Sequence, residues 1–479
     1  MKRSFLQWHR RLAWLGGFVV LCWGLSGILH PVMSWFGPQA VTMLPPARVM
    51  PEIALPEMAK TLEANAVKEA RVVKLVPTAE GFALQLTEND LVPRRYFSLR
   101  SRAEMPGYDE SQARWLASYY TGRPVDSVAS VTFQTAFSED YPSVNRLLPV
   151  YRVGFAGDDE LTAFVHTETA ALASLNNRNK AAIQRVFLQL HTWAWLDVTG
   201  FGRVLLVMLF MVTLFLMACA GLALIVLLPQ RRINDGRRRW HRWFGYALWL
   251  PLLAWSASGF YHLLQGEYIE PVSGMRLGES MALADIPALD GTAVPKRPIS
   301  AASLVPVSDG TLRYRLALAP VAGLEQAVSR AARFDGQPSS SGVIYLGAAA
   351  AAQYSDRDQA VWLTRQFRPN ATIESVERIT RFGPDYDFRN KRLPVWKVNL
   401  ADAAGTQLFV DPATGVLVDQ SRTIDRAERW SFSILHKWNH LTGITGRAGR
   451  DALMVATLML ALFAAVLGGI MLIRRGRIH

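Results

Sequence analysis

Four long apolar windows interrupt an otherwise mixed chain: about Leu12 to Trp35, Val204 to Leu228, Phe244 to Leu264 and Ala452 to Ile473. Each has the roughly twenty low-charge residues that a helix needs to cross a hydrocarbon core of about 30 Å. Between the windows, alternating apolar and polar positions predict strands around Val125 to Phe133, Ile373 to Phe382, Leu393 to Val398 and Gln407 to Leu417. Short helices are predicted to start at Ala113-Arg114-Trp115-Leu116 and Ala360-Val361-Trp362-Leu363. The stretches Phe187 to Trp195 and Phe432 to His440 are apolar on one helical face, and glycines that permit a helix break follow them. They are predicted to be interfacial helices feeding the second and fourth windows, with Trp193, Trp195 and Trp438 at headgroup level. Pro38 to Pro56 and Glu279 to Ile299 have the composition of linkers, and the alanine-rich stretch Gly347 to Ala352 is too short to span.

The pattern occurs twice. Leu148-Pro149-Val150-Tyr151-Arg152-Val153 returns as Leu393-Pro394-Val395-Trp396-Lys397-Val398, and the same offset pairs Tyr141 with Tyr386, His191 with His436 and Trp193 with Trp438. Trp8-His9-Arg10 leads through an apolar run to Ser26-Gly27 and His30, as Trp240-His241-Arg242 leads to Ser258-Gly259 and His262. Self-similarity over so much of a chain implies structural repetition. The expected fold class is an integral membrane α-helical protein with four transmembrane helices, internally duplicated, carrying two α+β domains outside the membrane. The expected segments are residues 1–36 (first span), 37–185 (first soluble domain), 186–229 (interfacial helix and second span) and 230–243 (basic loop). They continue with 244–264 (third span), 265–429 (second soluble domain), 430–473 (interfacial helix and fourth span) and 474–479 (tail).

Charge orients this arrangement. Almost all of the net +13 resides in Lys2, Arg3, Arg10 and Arg11, in the loop from Arg231 to Arg242, and in Arg474, Arg475 and Arg477. By the positive-inside rule these segments are cytoplasmic, and both soluble domains are expected to face the periplasm or cell exterior. The soluble segments are nearly neutral, which removes the main support for nucleic-acid binding. The first window is long, holds Trp14, Trp23 and Trp35 and lacks a small-residue cleavage site, so it is expected to be a retained span rather than a signal peptide. Cys22 and Cys219 fall inside spans, which excludes a disulfide framework in the soluble parts.

Of nine histidines, six lie at duplicated positions beside the bilayer: His9 with His241, His30 with His262, and His191 with His436. Both spacings, His9 to His30 and His241 to His262, correspond to roughly 31 Å of helix at about 1.5 Å per residue. Each of these helices therefore carries a histidine near either face. Ionisable or metal-binding side chains at membrane depth are functional candidates. Haem suits them, since neutral imidazole is a common axial ligand and histidines from two helices can grip one porphyrin. Ser26-Gly27 and Ser258-Gly259, with Gly16 and Gly17, offer faces where a flat macrocycle could approach the backbone, or where helices pack. His9 and His241 are expected to bracket one haem b at the cytoplasmic side. His30, His262, His191 and His436 supply four ligands for one or two more at the other face, giving two or three haems. His440 breaks the symmetry and is a further possible ligand, substrate contact or interfacial residue.

The stretch Leu393 to Val398 followed by Gln407-Leu408-Phe409-Val410-Asp411-Pro412-Ala413-Thr414-Gly415 resembles the end of a PepSY domain, a small α+β module. The whole chain resembles the PepSY-associated transmembrane family. A worn copy in the first half, Ala163 to Leu172, has His166 for the aspartate and Ala170 for the turn glycine. The resemblance implies an inner-membrane haem protein similar to ferric-siderophore reductases, passing electrons to chelated ferric iron in the periplasm. No nucleotide-binding glycine loop is present, so a membrane quinol or a separate cytoplasmic reductase is the expected donor. Tyr119, Tyr120, Tyr141, Tyr386, Arg381, Arg389, Lys391 and Arg392 are candidates to line a chelate cleft between the soluble domains. Two other functions stay open on these residues: a transport component for siderophore or iron, and a non-enzymatic PepSY sensor or protease modulator.

Overall fold

The computed structural model describes residues 2–228, 235–272, 274–289, 295–321, 340–347 and 354–476. Arg231, Arg232 and Arg477 of the basic segments, and residues 348–352 of the alanine-rich stretch, lie outside the described residues.

The order of elements repeats. The first half runs α1 (Lys2–Phe36), α2 (Ala54–Ala64), β1 (Glu69–Ala70), β2 (Val72–Thr78), β3 (Gly81–Thr87) and β4 (Arg95–Ser98). It continues with α3 (Tyr108–Thr121), β5 (Val128–Gln134), β6 (Val150–Phe155), β7 (Thr162–His166), β8 (Ala171–Asn176), α4 (Arg178–His191) and α5 (Phe201–Leu227). The second half runs α6 (Gly236–Tyr268), β9 (Met281–Ala282), β10 (Ile299–Pro306), β11 (Leu312–Leu318) and β12 (Val343–Leu346). There follow α7 (Asp356–Phe367), β13 (Ile373–Ile379), β14 (Val395–Leu400), β15 (Gln407–Asp411), β16 (Val416–Ser421), α8 (Thr423–Ser431) and α9 (Thr442–Gly476). Two compact units result, one of Met1–Gly37, Asn179–Pro271 and Ile424–His479, the other of Pro38–Arg178 and Val272–Thr423.

In the second unit, β5 to β8 and β13 to β16 form two antiparallel four-stranded meanders. Each buries one face against a helix: Leu116 and Tyr120 of α3 pack on Val153 and Val165, and Ala360 and Leu363 of α7 pack on Val398 and Leu408. A capping box, Ser355 with Asp358, starts α7 and satisfies two of its orphan amides. The predicted strands and helices of both modules are present, although α3 and α7 begin earlier than their apolar signatures.

The two modules, expected as separate domains, share a sheet. Its order is β12-β11-β10-β2-β3-β4, with β2 and β10 antiparallel at the centre and Lys74 opposite Ser303. Gln112 of α3 donates to the Pro77 carbonyl and Gln359 of α7 to that of Pro306, both at 2.9 Å, so each helix docks on its half in the same way. Side chains alternate between faces along a strand. One face carries Val73, Leu84, Phe97, Leu304 and Leu316 into a core with Leu55 and Met58 of α2. The other carries a polar row running abreast across all six strands: Tyr96, Gln85, Lys74, Ser303, Arg315 and Tyr345.

That row is anchored by ions. Arg315 makes two 2.7 Å bonds to Asp356, which also accepts from the Tyr345 hydroxyl at 2.8 Å. Lys74 pairs with Glu168 at 2.7 Å, and Glu168 also pairs with Arg392, which reaches Asp411 at 3.3 Å. Glu168 comes from the β7–β8 turn of the first half and Arg392 from the second half. Burial would raise the Glu168 carboxyl, but Arg392 and Lys74 outweigh it and hold the group well below the usual carboxylate range.

In the helical unit, α1, α5, α6 and α9 form a ring in which α1 touches α5 and α9, and α6 touches the same two. Val19, Phe210, Leu214, Leu248 and Ala461 fill its centre. Among the described residues three helices are long and apolar enough to cross a membrane, Arg3–Phe36, Phe201–Leu227 and Asn439–Arg474, rather than the four expected. The missing window, Phe244 to Leu264, lies in α6, which is 33 residues long. Its apolar character is diluted by Trp249, Trp255, Tyr246, Pro251, Ser256 and Ser258.

Candidate functional site

The duplicated histidines come together in pairs across the helical ring. The rings of His9 on α1 and His241 on α6 have centres 6.3 Å apart. His9 Nδ1 lies 3.3 Å from the Met217 carbonyl of α5, and His241 Nδ1 lies 3.0 Å from the Ala464 carbonyl of α9. A carbonyl only accepts, so both Nδ1 atoms carry the proton and both Nε2 lone pairs are left available.

The rings of His191 and His436 form a second pair, with centres 6.4 Å apart. His191 ends α4, and His436 ends a single turn, Phe432–His436, that follows α8. Each is held by α1 or α6 through a matched set of bonds. Trp23 Nε1 donates to the His191 carbonyl at 3.1 Å, and Trp255 Nε1 to that of His436 at 3.2 Å. Ser26 Oγ donates to the Cys22 carbonyl at 2.8 Å and lies 3.0 Å from His191 Nδ1; Ser258 Oγ donates to Ala254 at 2.6 Å and lies 3.3 Å from His436 Nδ1. With its one proton spent on the helix, each serine accepts from the imidazole, which leaves Nε2 available here too. Trp193 and Trp438, just after these histidines, take left-handed backbone angles, φ 57° and 53°, that turn the chain into the next helix.

The serines thus orient histidines rather than widening a face for a macrocycle. Nor are the neighbouring glycines open: an added Cβ at Gly27 would stand 3.3 Å from Leu458, and one at Gly16 would stand 2.7 Å from Met217 Sδ. Both positions let helices pack closely, as small residues in membrane bundles do. Gly17 has nothing within 4 Å.

His30 and His262 stand beyond the second pair, each separated from it by a phenylalanine. His262 stacks on Phe432 at 4.2 Å and Phe432 on His436 at 4.5 Å; His30 is 6.3 Å from Phe187, which stacks on His191 at 4.7 Å. Their surroundings differ. His262 Nδ1 bonds Glu428 of α8 at 2.5 Å, whereas His30 lies among Lys437, Arg447, Arg450 and Asp451. His440 is exposed on the turn Asn439–Leu441 and joins neither pair. His166 belongs to the second unit, where it takes the place of Asp411 in the worn turn. Asp411 accepts from the Ala413 amide and the Thr414 hydroxyl, and His166 Nδ1 meets Thr169 Oγ1 at 2.8 Å while its Nε2 meets Arg94 at 3.1 Å.

Among the described residues no group of three or more His, Cys, Asp or Glu side chains converges as for a bare metal ion. Two-histidine sites instead suit a group that brings its own equatorial ligands. Two imidazoles on opposite sides of one metal, with metal–nitrogen bonds of about 2.0–2.1 Å and about 1.1 Å from nitrogen to ring centre, have centres about 6.3 Å apart. Interplanar angles of 59° and 83° fit as well, because each ring is free to rotate about the shared axis. Both pairs therefore match the donor set of a haem with two axial histidines.

No family model and no curated protein matches this chain.

Of the tyrosines proposed to line a chelate cleft, Tyr120, Tyr141 and Tyr386 are core residues, whereas Tyr119 is half-buried and its hydroxyl donates to the Leu44 carbonyl at 3.4 Å. Tyr120, Tyr141 and Tyr386 are buried because their hydroxyls donate to the carbonyls of Ala170, Leu147 and Arg392 at 2.7 to 2.9 Å. Arg392 is buried in the Glu168 cluster, and Arg389 pairs with Asp387 at 2.6 Å. Glu428 and Glu168 went unnoticed in the sequence, since neither has a counterpart at the repeated position.

Proposed function

We propose that this chain is a bacterial inner-membrane haem protein that carries electrons across the bilayer to ferric iron held by a siderophore in the periplasm. The observation that supports it is the pair of two-histidine sites, each with centres at the separation of opposed axial ligands and each with Nδ1 already committed. About 25 Å of helix separates His9 from Ser26, the partner of His191, at about 1.5 Å per residue, so the sites lie towards opposite faces of a bilayer. On this reading α6, packed between α5 and α9 in the helical ring, is the fourth span, and its Trp and Tyr side chains suit a helix facing cofactor and headgroups. The basic ends mark the cytoplasmic side, and the soluble unit, PepSY-like in each half, faces the periplasm.

His9 and His241 would hold one haem b and His191 with His436 a second. Haem bound in this way supplies a one-electron carrier. The chain's own contribution is orientation: helix carbonyls on α5 and α9 fix the cytoplasmic imidazoles, and serines on α1 and α6 fix the periplasmic ones. Such partners set ring orientation and raise ligand basicity. The electron donor is a membrane quinol or a cytoplasmic reductase.

The test is an absorption spectrum of the purified protein in detergent, oxidised and dithionite-reduced. A Soret band with sharp reduced α and β bands is expected, and its absence after expression with adequate haem refutes the proposal. Stopped-flow reoxidation of the reduced protein by ferric siderophores tests the acceptor; reoxidation no faster than by buffer alone would remove that part.

A further inference from the structure

The contacts of His9 and His241 have a common geometry that involves two glycines outside the histidine repeat. His9 bonds the carbonyl of Met217, and a Cβ added at Gly221, four residues on, would stand 3.4 Å from His9 Cε1. His241 bonds the carbonyl of Ala464, and a Cβ added at Gly468, again four residues on, would stand 3.3 Å from His241 Cε1. The relation has a backbone cause. In an α-helix the carbonyl of residue i already accepts the amide of residue i+4, and the side chain at i+4 leans back towards the N-terminus, over that carbonyl. A ring from another helix reaches the carbonyl's second lone pair only if position i+4 leaves it uncovered. Glycine leaves it open, a lone methyl at 3.3 to 3.4 Å would only touch the edge of the ring, and a longer side chain would cover the carbonyl; both helices have glycine there.

We infer that Gly221 and Gly468 are positioning residues: by uncovering the carbonyls of Met217 and Ala464, they fix His9 and His241 as Nδ1–H tautomers with Nε2 left available. The neighbouring glycine Gly469 has nothing within 4 Å of its Cβ position, so proximity to a membrane helix's small residues is not what distinguishes the two. The consequence for metal binding rests on the haem reading; the consequence for tautomer does not.

The experiment uses the full chain in detergent with Gly221→Ala, Gly221→Leu, Gly468→Ala and Gly468→Leu, and Gly469→Leu as the control for bulk on the same turn. On protein prepared without haem, ¹⁵N spectra of labelled histidines are assigned by loss in His9→Ala and His241→Ala. Wild-type His9 and His241 should both report the Nδ1–H tautomer. Gly221→Leu should shift His9 out of it and Gly468→Leu should shift His241, while the alanine variants and Gly469→Leu keep it. On haem-loaded protein, electron paramagnetic resonance of the ferric form should show two low-spin signals, with the one assigned to the His9–His241 site lost or displaced in either leucine variant. Unchanged tautomers in both leucine variants, or an equal change in Gly469→Leu, would overturn the inference. A wild-type protein without haem signals would instead refute the proposed function, and the tautomer measurement would still decide the role of the glycines.

Discussion

Replacing Glu168 with alanine should be among the most damaging single changes available in the second, sheet-containing unit. The side chain of Glu168 is 2% exposed and that of its partner Arg392 5%, while Lys74, the other partner, is 17% exposed. Removing one member of a buried ion pair typically costs about 3–5 kcal/mol, because the remaining charge stays desolvated. Here Arg392 keeps Asp411 at 3.3 Å and the Thr414 hydroxyl, which places the loss near the lower end, about 3 kcal/mol. For a unit of this size that is a fall in melting temperature of roughly 6 °C, at about 2 °C per kcal/mol. Differential scanning fluorimetry of the intact chain in detergent would measure it, and hydrogen exchange should show the β7–β8 turn and β14 opening first. The double variant Glu168→Leu with Arg392→Met removes both desolvated charges and should recover most of the loss. A shift under about 1 °C for Glu168→Ala, or a double variant no more stable than the single one, would refute the coupling. The pH dependence has a definite sign. The folded carboxyl is held below its unfolded value, so its contribution is complete above about pH 4.3 and disappears as pH falls through the depressed folded value.

Other outcomes follow from individual contacts. Burial and Arg94 push His166 well below its ordinary value, so the unfolded chain binds a proton that the folded chain refuses; stability should fall by about 1.4 kcal/mol per pH unit below about pH 6.5, and His166→Gln should flatten that slope in pH-dependent denaturation. Ala170 holds φ 51° where the second half has Gly415 at φ 69°, and Ala170→Gly should raise the melting temperature, with a gain of about 1 kcal/mol from relief of the left-handed strain. Ser258→Ala removes the acceptor for His436 Nδ1, and on the haem reading it should weaken haem retention at that site by roughly 10- to 100-fold, measured by apomyoglobin transfer, while sparing the His9–His241 component.

The sequence made the repeat legible because the repeated features are chemically distinctive: prolines in strands, a turn motif, histidines and tryptophans at fixed offsets. The histidines that converge, His9 with His241 and His191 with His436, are repeat partners. What held the halves together was hidden, since β2 and β10 share only a generic apolar alternation and their pairing joins strands more than two hundred residues apart. Its tryptophans, tyrosine, proline and serines set α6 apart from the more apolar helices, and one of those tryptophans, Trp255, donates to the His436 carbonyl; Tyr141 and Tyr386, read as cleft candidates, have hydroxyls satisfied inside the protein. Glu428 beside His262 and Glu168 beside Arg392 break the repeat, so a search for repeated residues passes over them.

The position of Lys74 opposite Ser303 has a consequence for how such a sheet could arise. If the half-chain were paired with a copy of itself, every residue on the central axis would face its own twin, and a lysine there would meet a lysine at the roughly 5 Å of adjacent strands. Like charges so placed repel, and one Glu168 on each side would have to answer both. Fusing two copies releases that constraint: one strand keeps the ammonium, the other shrinks to a hydroxyl, and the single ion cluster that results is a structure no pair of identical chains could build.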